Sequence, residues 1–267
     1  MHRLVSSLSF FMKITIIQPE TIWEDKASNF YKIEQIIGNL SEASDIIVLP
    51  EMFTTGFTLN AEKLAEEFNG ETLKWMSDLS LKGNFAICGS FIIRLAGEFY
   101  NRFSFVTPEN KCLYYDKRHL FSLGGENEVY SCGKIRHVIN YNSFRILPIV
   151  CYDLRFPVWC RNRGDYDILI CVASWPDVRR EAWNSLLKAR AIENQCYVVG
   201  VNRVGTDNEG VNHAGESVVL NPLGWILGKV DEYTEGSATV DISMSELQHF
   251  REKFPFWKDS DDYSINI

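Results

Sequence analysis

The chain has 267 residues, 46% hydrophobic and 23% charged, which is ordinary for a soluble globular protein and enough to bury a full core. Its net charge of -8, with no basic run to offset it, excludes nucleic acid and anionic membrane as partners. Seven cysteines, an odd number with no Cys-x-x-Cys pair, argue against a disulfide framework or a zinc ribbon and point to a reducing cytoplasm.

Residues 1–11 carry one arginine and a short, serine-broken apolar stretch, too short to span a membrane. They are read as an extension without function, with Met12 as the natural start and residues 12–267 as a single domain. Residues 13–18 alternate like a strand, and residues 25–40 repeat apolar positions at helical spacing. A strand over 46–49 leads into a loop through Glu51. A helix over 71–82 ends at Gly83, and 85–93 reads as a buried strand. Residues 99–107 and 112–116 form a hairpin, and 135–139 pairs with 143–150 around Tyr141-Asn142. A short helix begins near Pro157 and precedes a strand over 167–173. The clearest amphipathic helix spans 179–194, followed by a strand over 196–201 and a turn over 205–210. Strands over 216–220, 225–227 and 237–241 precede a last helix over 243–253, capped by Ser243 or Ser245. Early alternation of strand and helix, with hairpins later, predicts an α/β protein with mixed sheets.

Three apolar runs end on reactive residues: 45–50 on Glu51, 112–116 on Lys117 and 146–150 on Cys151. Placed at the carboxyl ends of strands, such groups meet where open α/β sheets hold their ligands. Pro148 argues for an edge or a bulge in the third run, because proline donates no ladder bond. Cys151 falls between that strand and the helix that Pro157 starts, near unpaired N–H groups and a positive dipole end. That setting stabilises a thiolate, the nucleophilic form. Taken one at a time, a cysteine is more often a small core residue, and a glutamate or lysine after a strand is more often surface.

The segments Leu49-Pro-Glu51-Met-Phe-Thr-Thr-Gly-Phe57, Tyr115-Asp-Lys117-Arg-His-Leu-Phe121 and Val150-Cys151-Tyr-Asp-Leu-Arg-Phe-Pro157 resemble the three signatures of the nitrilase superfamily of carbon–nitrogen hydrolases. Ala189-Arg-Ala-Ile-Glu-Asn194 and Asn202-Arg-Val-Gly205 resemble its later blocks, so the likeness runs over about residues 12–256. Among its branches the chain is most similar to the bacterial ω-amidases, which hydrolyse the terminal amide of 2-oxoglutaramate and similar short ω-amides. The resemblance implies a four-layer α-β-β-α sandwich of two mixed β-sheets with helices on the outer faces, assembled as a homodimer or a higher homo-oligomer. It also implies Cys151 as nucleophile, Glu51 as general base and Lys117 as stabiliser of the oxyanion. Glu126 falls at the place of the family's second glutamate, which orients the lysine and the substrate amide. A surface carboxylate in the Gly124-Gly-Glu126 turn is the competing reading. No cofactor is implied, and the five histidines show no metal-ligand spacing.

The Tyr152 backbone N–H is a candidate second oxyanion donor. Phe57, with Gly56, and Trp175, with Ser174, are candidate pocket walls, as is the Tyr152 side chain. Arg155 either holds a substrate carboxylate or pairs with a buried acid, and the structural role is the one favoured. Asp153 is expected to cap the helix that follows it. His119 with Asp153 offers a rival base for Cys151. The rival functions are the same chemistry on a nitrile or an N-carbamoyl amino acid, and a catalytically silent binding module of the same fold.

Overall fold

The computed structural model describes residues 11–265. Strand β1 (Phe11–Gln18) begins at Phe11, the one described residue of the expected extension, whose other residues lie outside the described range. Asp25 accepts the Ser28 N–H at 3.0 Å and starts α1 (Lys26–Gly38), satisfying a donor that helix starts leave orphaned. After β2 (Ile46–Val48) and the unforeseen single turn α2 (Ala61–Leu64) comes α3 (Glu71–Gly83). The residue that stops α3 is Asn84, in the left-handed region at φ 53°, rather than Gly83. A meander of β3 (Ala86–Leu95), β4 (Glu98–Val106) and β5 (Cys112–Asp116) follows, and then α4 (Glu126–Val129).

Pairing resumes only at β6 (Ile139–Tyr141), so the strand expected from residue 135 is four residues too long. Ile135 is three-quarters exposed, and no sheet neighbour buries it. β6 pairs with β7 (Phe144–Val150) as far as Ile146, so no β6 residue lies opposite Pro148, which meets Ile170 on its other side. An interior strand thus becomes a local edge where the proline sits. Beyond the 3-10 turn Cys151–Arg155 come α5 (Pro157–Cys160), β8 (Ile168–Val172), α6 (Arg180–Asn194) and β9 (Tyr197–Val201). The turn expected over 205–210 starts two residues later and closes a small hairpin of β10 (Val204–Thr206) with β11 (Asn212–Ala214). β12 (Val218–Leu220), β13 (Ile226–Lys229), β14 (Gly236–Ser243) and α7 (Met244–Lys253), capped by Ser243, complete the chain's regular elements.

Two mixed six-stranded sheets result, in the orders β14-β1-β2-β3-β4-β5 and β13-β12-β9-β8-β7-β6, with parallel centres and antiparallel flanks. Strand alternation divides the core. Ile14 and Ile16 join one apolar cluster with Ile146, Ile168, Val199 and other residues of the second sheet. Ile17, Ile47 and Ile87 instead pack under Phe30 and Ile33 of α1 and Leu73 and Met76 of α3. On the far side α6 lies close on β9 because Gly200 has no side chain: a Cβ there would stand 2.5 Å from Leu187. The helix–sheet–sheet–helix sandwich puts the carboxyl ends of β2, β5, β7 and β8 at one end of the molecule. Among the described residues no helix is long and apolar enough to cross a membrane.

Candidate active site

Glu51 follows β2, Lys117 follows β5 and Cys151 follows β7, and they line one cavity of about 620 Å³. The Glu51 loop is strapped across the two sheets. Its N–H donates to the Ala173 carbonyl at 3.4 Å, and the Ser174 N–H donates to its Oε2 at 2.8 Å. Lys117 Nζ stands 2.8 Å from Glu51 Oε1 and 2.8 Å from Glu126 Oε2. Glu126 is further held by the Phe121 N–H, which donates to its Oε2 at 2.6 Å. Glu126 is completely buried, which removes the surface-carboxylate reading. The Gly124-Gly125 turn, with Gly125 at φ 72°, folds α4 back so that Glu126 points inward.

Asn101 on β4 is the member of this cluster that sequence reading missed. Its Nδ2 donates to Glu51 Oε1 at 2.8 Å and to Glu126 Oε1 at 3.2 Å, and its backbone carbonyl accepts the Lys117 N–H. It carries no chemical signature in sequence, being one of several polar residues that alternate with aromatics along β4. Three ionisable groups at most one-hundredth exposed survive here because they pair and hydrogen-bond with one another. Burial opposes the charge on Lys117, but Glu126 and Glu51, with help from Cys151, outweigh it and hold the ammonium well above its usual 10.5. Burial raises the carboxyl of Glu126 above its usual 4.5, against the pull of Lys117.

Cys151 occupies the sharp turn from β7 into the 3-10 segment, at φ 46°, a left-handed conformation that a non-glycine residue adopts only under tertiary constraint. Its side chain lines the cavity together with Glu51 and Lys117. Burial, and then the Glu51 charge, push its pKa well above the usual 9.0, so the resting group is a thiol beside a carboxylate. The expected dipole-stabilised thiolate is therefore corrected: the turn is short, and desolvation beside an acid outweighs its N–H groups. The Tyr152 N–H falls in the first turn of that segment, where helix starts leave donors without intrahelical partners.

Two further expectations change. Asp153 does not cap α5. Its Oδ2 accepts the Val150 N–H at 3.0 Å and the Tyr115 hydroxyl at 2.7 Å, while its Oδ1 accepts the His119 N–H at 2.8 Å and faces His119 Nδ1 at 2.7 Å. His119 stacks on Phe156 at 3.8 Å and is not among the residues lining the cavity. The pair braces the backbone on either side of Cys151 and Lys117. His119→Gln is accordingly expected to keep turnover within about tenfold of the unchanged protein; a loss as large as that of a missing general base would make the histidine the base instead. Arg155 has no acidic partner among the described residues. Its guanidinium lies 4.8 Å from the centre of the Trp175 ring and lines the cavity, so the favoured structural pairing is replaced by an open cation.

Phe57, 5.6 Å from Lys117 Nζ, and Tyr152 and Trp175 line the cavity as expected. Trp23, Phe121, Arg179 and His213 line it too; Phe121 closes the second motif, whereas Trp23, Arg179 and His213 lie outside all three and carry no local signal of the site. His213 is buried and held neutral, its pKa lowered to about 4 chiefly by burial. Among the described residues no group of three histidines, cysteines or acids is placed to hold a metal.

A two-sheet α/β sandwich with a thiol, an ammonium and two carboxylates gathered at the strand ends defines a class, the nitrilase-like enzymes that cleave carbon–nitrogen bonds. Residues 13–252 match the carbon-nitrogen hydrolase family model, and the chain belongs to that family. It is 41% identical to Omega-amidase YafV of Escherichia coli (strain K12), over 95% of this chain and 98% of that protein. It is 33% identical to 2-oxoglutaramate amidase of Bacillus subtilis (strain 168), over 92% and 96% of the two chains. The crystal structure of XC1258 from Xanthomonas campestris, a CN-hydrolase superfamily protein with an arsenic adduct in the active site, is 39% identical. It superposes with a TM-score of 0.93 over 96% of this chain and 99% of that one. The protein is an amide hydrolase of the nitrilase superfamily.

Proposed function

We propose that the protein is an ω-amidase, releasing ammonia from the terminal amide of a short ω-amido dicarboxylate such as 2-oxoglutaramate, with Cys151 as nucleophile. The observation that carries this reading is the Cys151–Glu51–Lys117–Glu126 cluster opening into a cavity that also holds an unpaired cation, Arg155. The relatives named omega-amidase and 2-oxoglutaramate amidase support the substrate class.

A neutral thiol is a weak nucleophile, so Glu51 takes its proton as sulfur bonds to the amide carbon. The carbonyl electrons move to oxygen, and the resulting oxyanion is stabilised by the Lys117 ammonium and the Tyr152 N–H. Collapse breaks the C–N bond, Glu51 returns the proton to the departing nitrogen, and ammonia leaves a thioester. Water then gives its proton to Glu51 and attacks that thioester, releasing the carboxylic acid and regenerating the thiol. Glu126 and Asn101 orient the lysine and the base. Arg155 offers a planar fork to the distal carboxylate. Assembly as a homodimer or larger, and work in a reducing cytoplasm, belong to the same reading. No membrane or nucleic-acid partner and no cofactor enters it.

The test is a panel of 2-oxoglutaramate, succinamate, glutamine, N-carbamoyl-alanine and simple nitriles, with ammonia as readout. The two ω-amido acids are expected to lead. A nitrile or carbamoyl compound turned over as fast would overturn the ω-amide assignment. The absence of turnover with any of them, together with iodoacetamide modifying Cys151 no faster than the other six thiols, would identify a silent binding module.

A further inference from the structure

We propose that Arg179 is a second, specificity-determining cation of the cavity, so that the substrate's distal carboxylate is held between two guanidiniums. This rests on the ω-amidase reading and adds a residue that the three motifs do not contain. Arg179 ends the 3-10 turn Asp177–Arg179, and its backbone is fixed at both ends. Its N–H donates to the Pro176 carbonyl at 3.0 Å, and its own carbonyl accepts the Trp175 indole N–H at 2.8 Å. The same tryptophan carries Arg155 over its ring, so the two arginines are referenced to one side chain. The Arg179 guanidinium lies 5.2 Å from the centre of the Phe121 ring and lines the cavity that holds Cys151. A guanidinium laid over an aromatic face keeps its N–H edge available for an anion.

No carboxylate lies within ion-pair distance of Arg155 or Arg179 among the described residues, although the cavity wall contains acids. Each of those acids is engaged elsewhere or stands in solvent. Asp177 accepts the Tyr233 hydroxyl at 2.9 Å. Asp207 accepts the N–H groups of Glu209 and Val211, both at 2.9 Å. Glu51 is committed to Lys117 and Asn101, and Glu209 is exposed. The adjacent Arg180 shows the contrast, pairing with both Glu216 and Glu232. Two half-buried, uncompensated guanidiniums beside a nucleophile select a substrate that brings its own negative charge.

Steady-state kinetics on anionic succinamate and neutral butanamide test this, with Arg179→Gln, Arg179→Lys and, as a control outside the cavity, Arg163→Gln. Arg179→Gln is expected to raise KM for succinamate about tenfold or more, the worth of one charge-assisted hydrogen bond, with a smaller change in kcat. The ratio of kcat/KM for succinamate to that for butanamide then falls by a similar factor, is partly restored in Arg179→Lys and is unmoved in Arg163→Gln. An unchanged ratio in Arg179→Gln, or an equal loss on both amides, overturns the proposal. Protection of Cys151 from iodoacetamide by succinate separates the two readings, since it requires no turnover. Protection in the unchanged protein and its loss in Arg179→Gln support the anion clamp even if neither amide is hydrolysed. Equal protection in both proteins, or none in either, sinks it.

Discussion

Glu51→Gln is expected to lower kcat/KM for the best ω-amide by about 10³-fold or more, the upper part of the range for removal of a positioned base. The size of the effect follows from the state of the nucleophile. Burial first, and the neighbouring carboxylate second, hold the Cys151 thiol well above its ordinary 9.0, so almost no thiolate exists at neutral pH. Replacing Glu51 by glutamine removes the second cause and leaves the first, and it takes away the proposed proton acceptor. Residual turnover then depends on the rare thiolate, whose fraction rises tenfold per pH unit below the thiol pKa. The variant's log(kcat/KM) should climb with a slope near one from about pH 7 to 9, while the unchanged enzyme varies much less over that interval. Measuring both profiles decides the matter. A variant within tenfold of the original, with a flat profile, would mean that the thiolate is preformed or that another group is the base.

Much of this arrangement is legible in the sequence, and the parts that are not share a physical cause. The runs ending at Glu51 and Cys151 are visible because buried parallel strands are almost wholly aliphatic, so a reactive residue at their end stands out, whereas Lys117 ends an antiparallel edge strand of mixed composition and is legible through its motif. Pro148 and Pro157 punctuate the third run, and both do in the fold what their missing N–H allows. What local reading misjudges is anything set by distant neighbours. The thiolate expected from a helix start is overruled first by burial in the folded core and then by a carboxylate about a hundred positions away in sequence. Asp153 has the composition of a cap and becomes a brace because Tyr115 and His119 reach it from β5 and the loop beyond. Asn101 and Arg179 have no local pattern; one is defined by the two acids it bridges and the other by the acids that do not reach it. Residues 135–138 leave the sheet although β7 runs on to Val150, because Arg136 is drawn away to Asp165 and to the Trp159 and Arg161 carbonyls.

Lys117→Met should damage both turnover and stability, because it removes chemistry and leaves a charge defect behind. Loss of the ammonium takes away the proposed stabiliser of the oxyanion, for which about 10²–10³-fold in kcat is the usual scale. Glu51 and Glu126 then remain buried, joined by Asn101 with no cation between them. Breaking a buried ion pair from one side costs about 3–5 kcal/mol. In a chain of this size that corresponds to a fall in Tm on the order of 10 °C. The defect should depend on pH in a defined direction. Glu126 already titrates above its ordinary 4.5 because burial favours its neutral form, and without the opposing pull of Lys117 it moves further up. A carboxyl whose folded pKa exceeds its unfolded value contributes stability below the unfolded pKa and loses it as pH rises through the folded one. Lys117→Met is therefore weakest at neutral pH and recovers towards the unchanged protein as pH falls towards the ordinary carboxyl range, where Glu126 is neutral. Adding Glu126→Gln to Lys117→Met should restore part of the lost Tm at pH 7 without restoring turnover, because it removes repulsion but supplies no oxyanion donor. Thermal unfolding of both variants at pH 5 and pH 7 reads this. An equal Tm loss at the two values, or no recovery in the double variant, would show that the lysine's role in the fold is packing rather than charge.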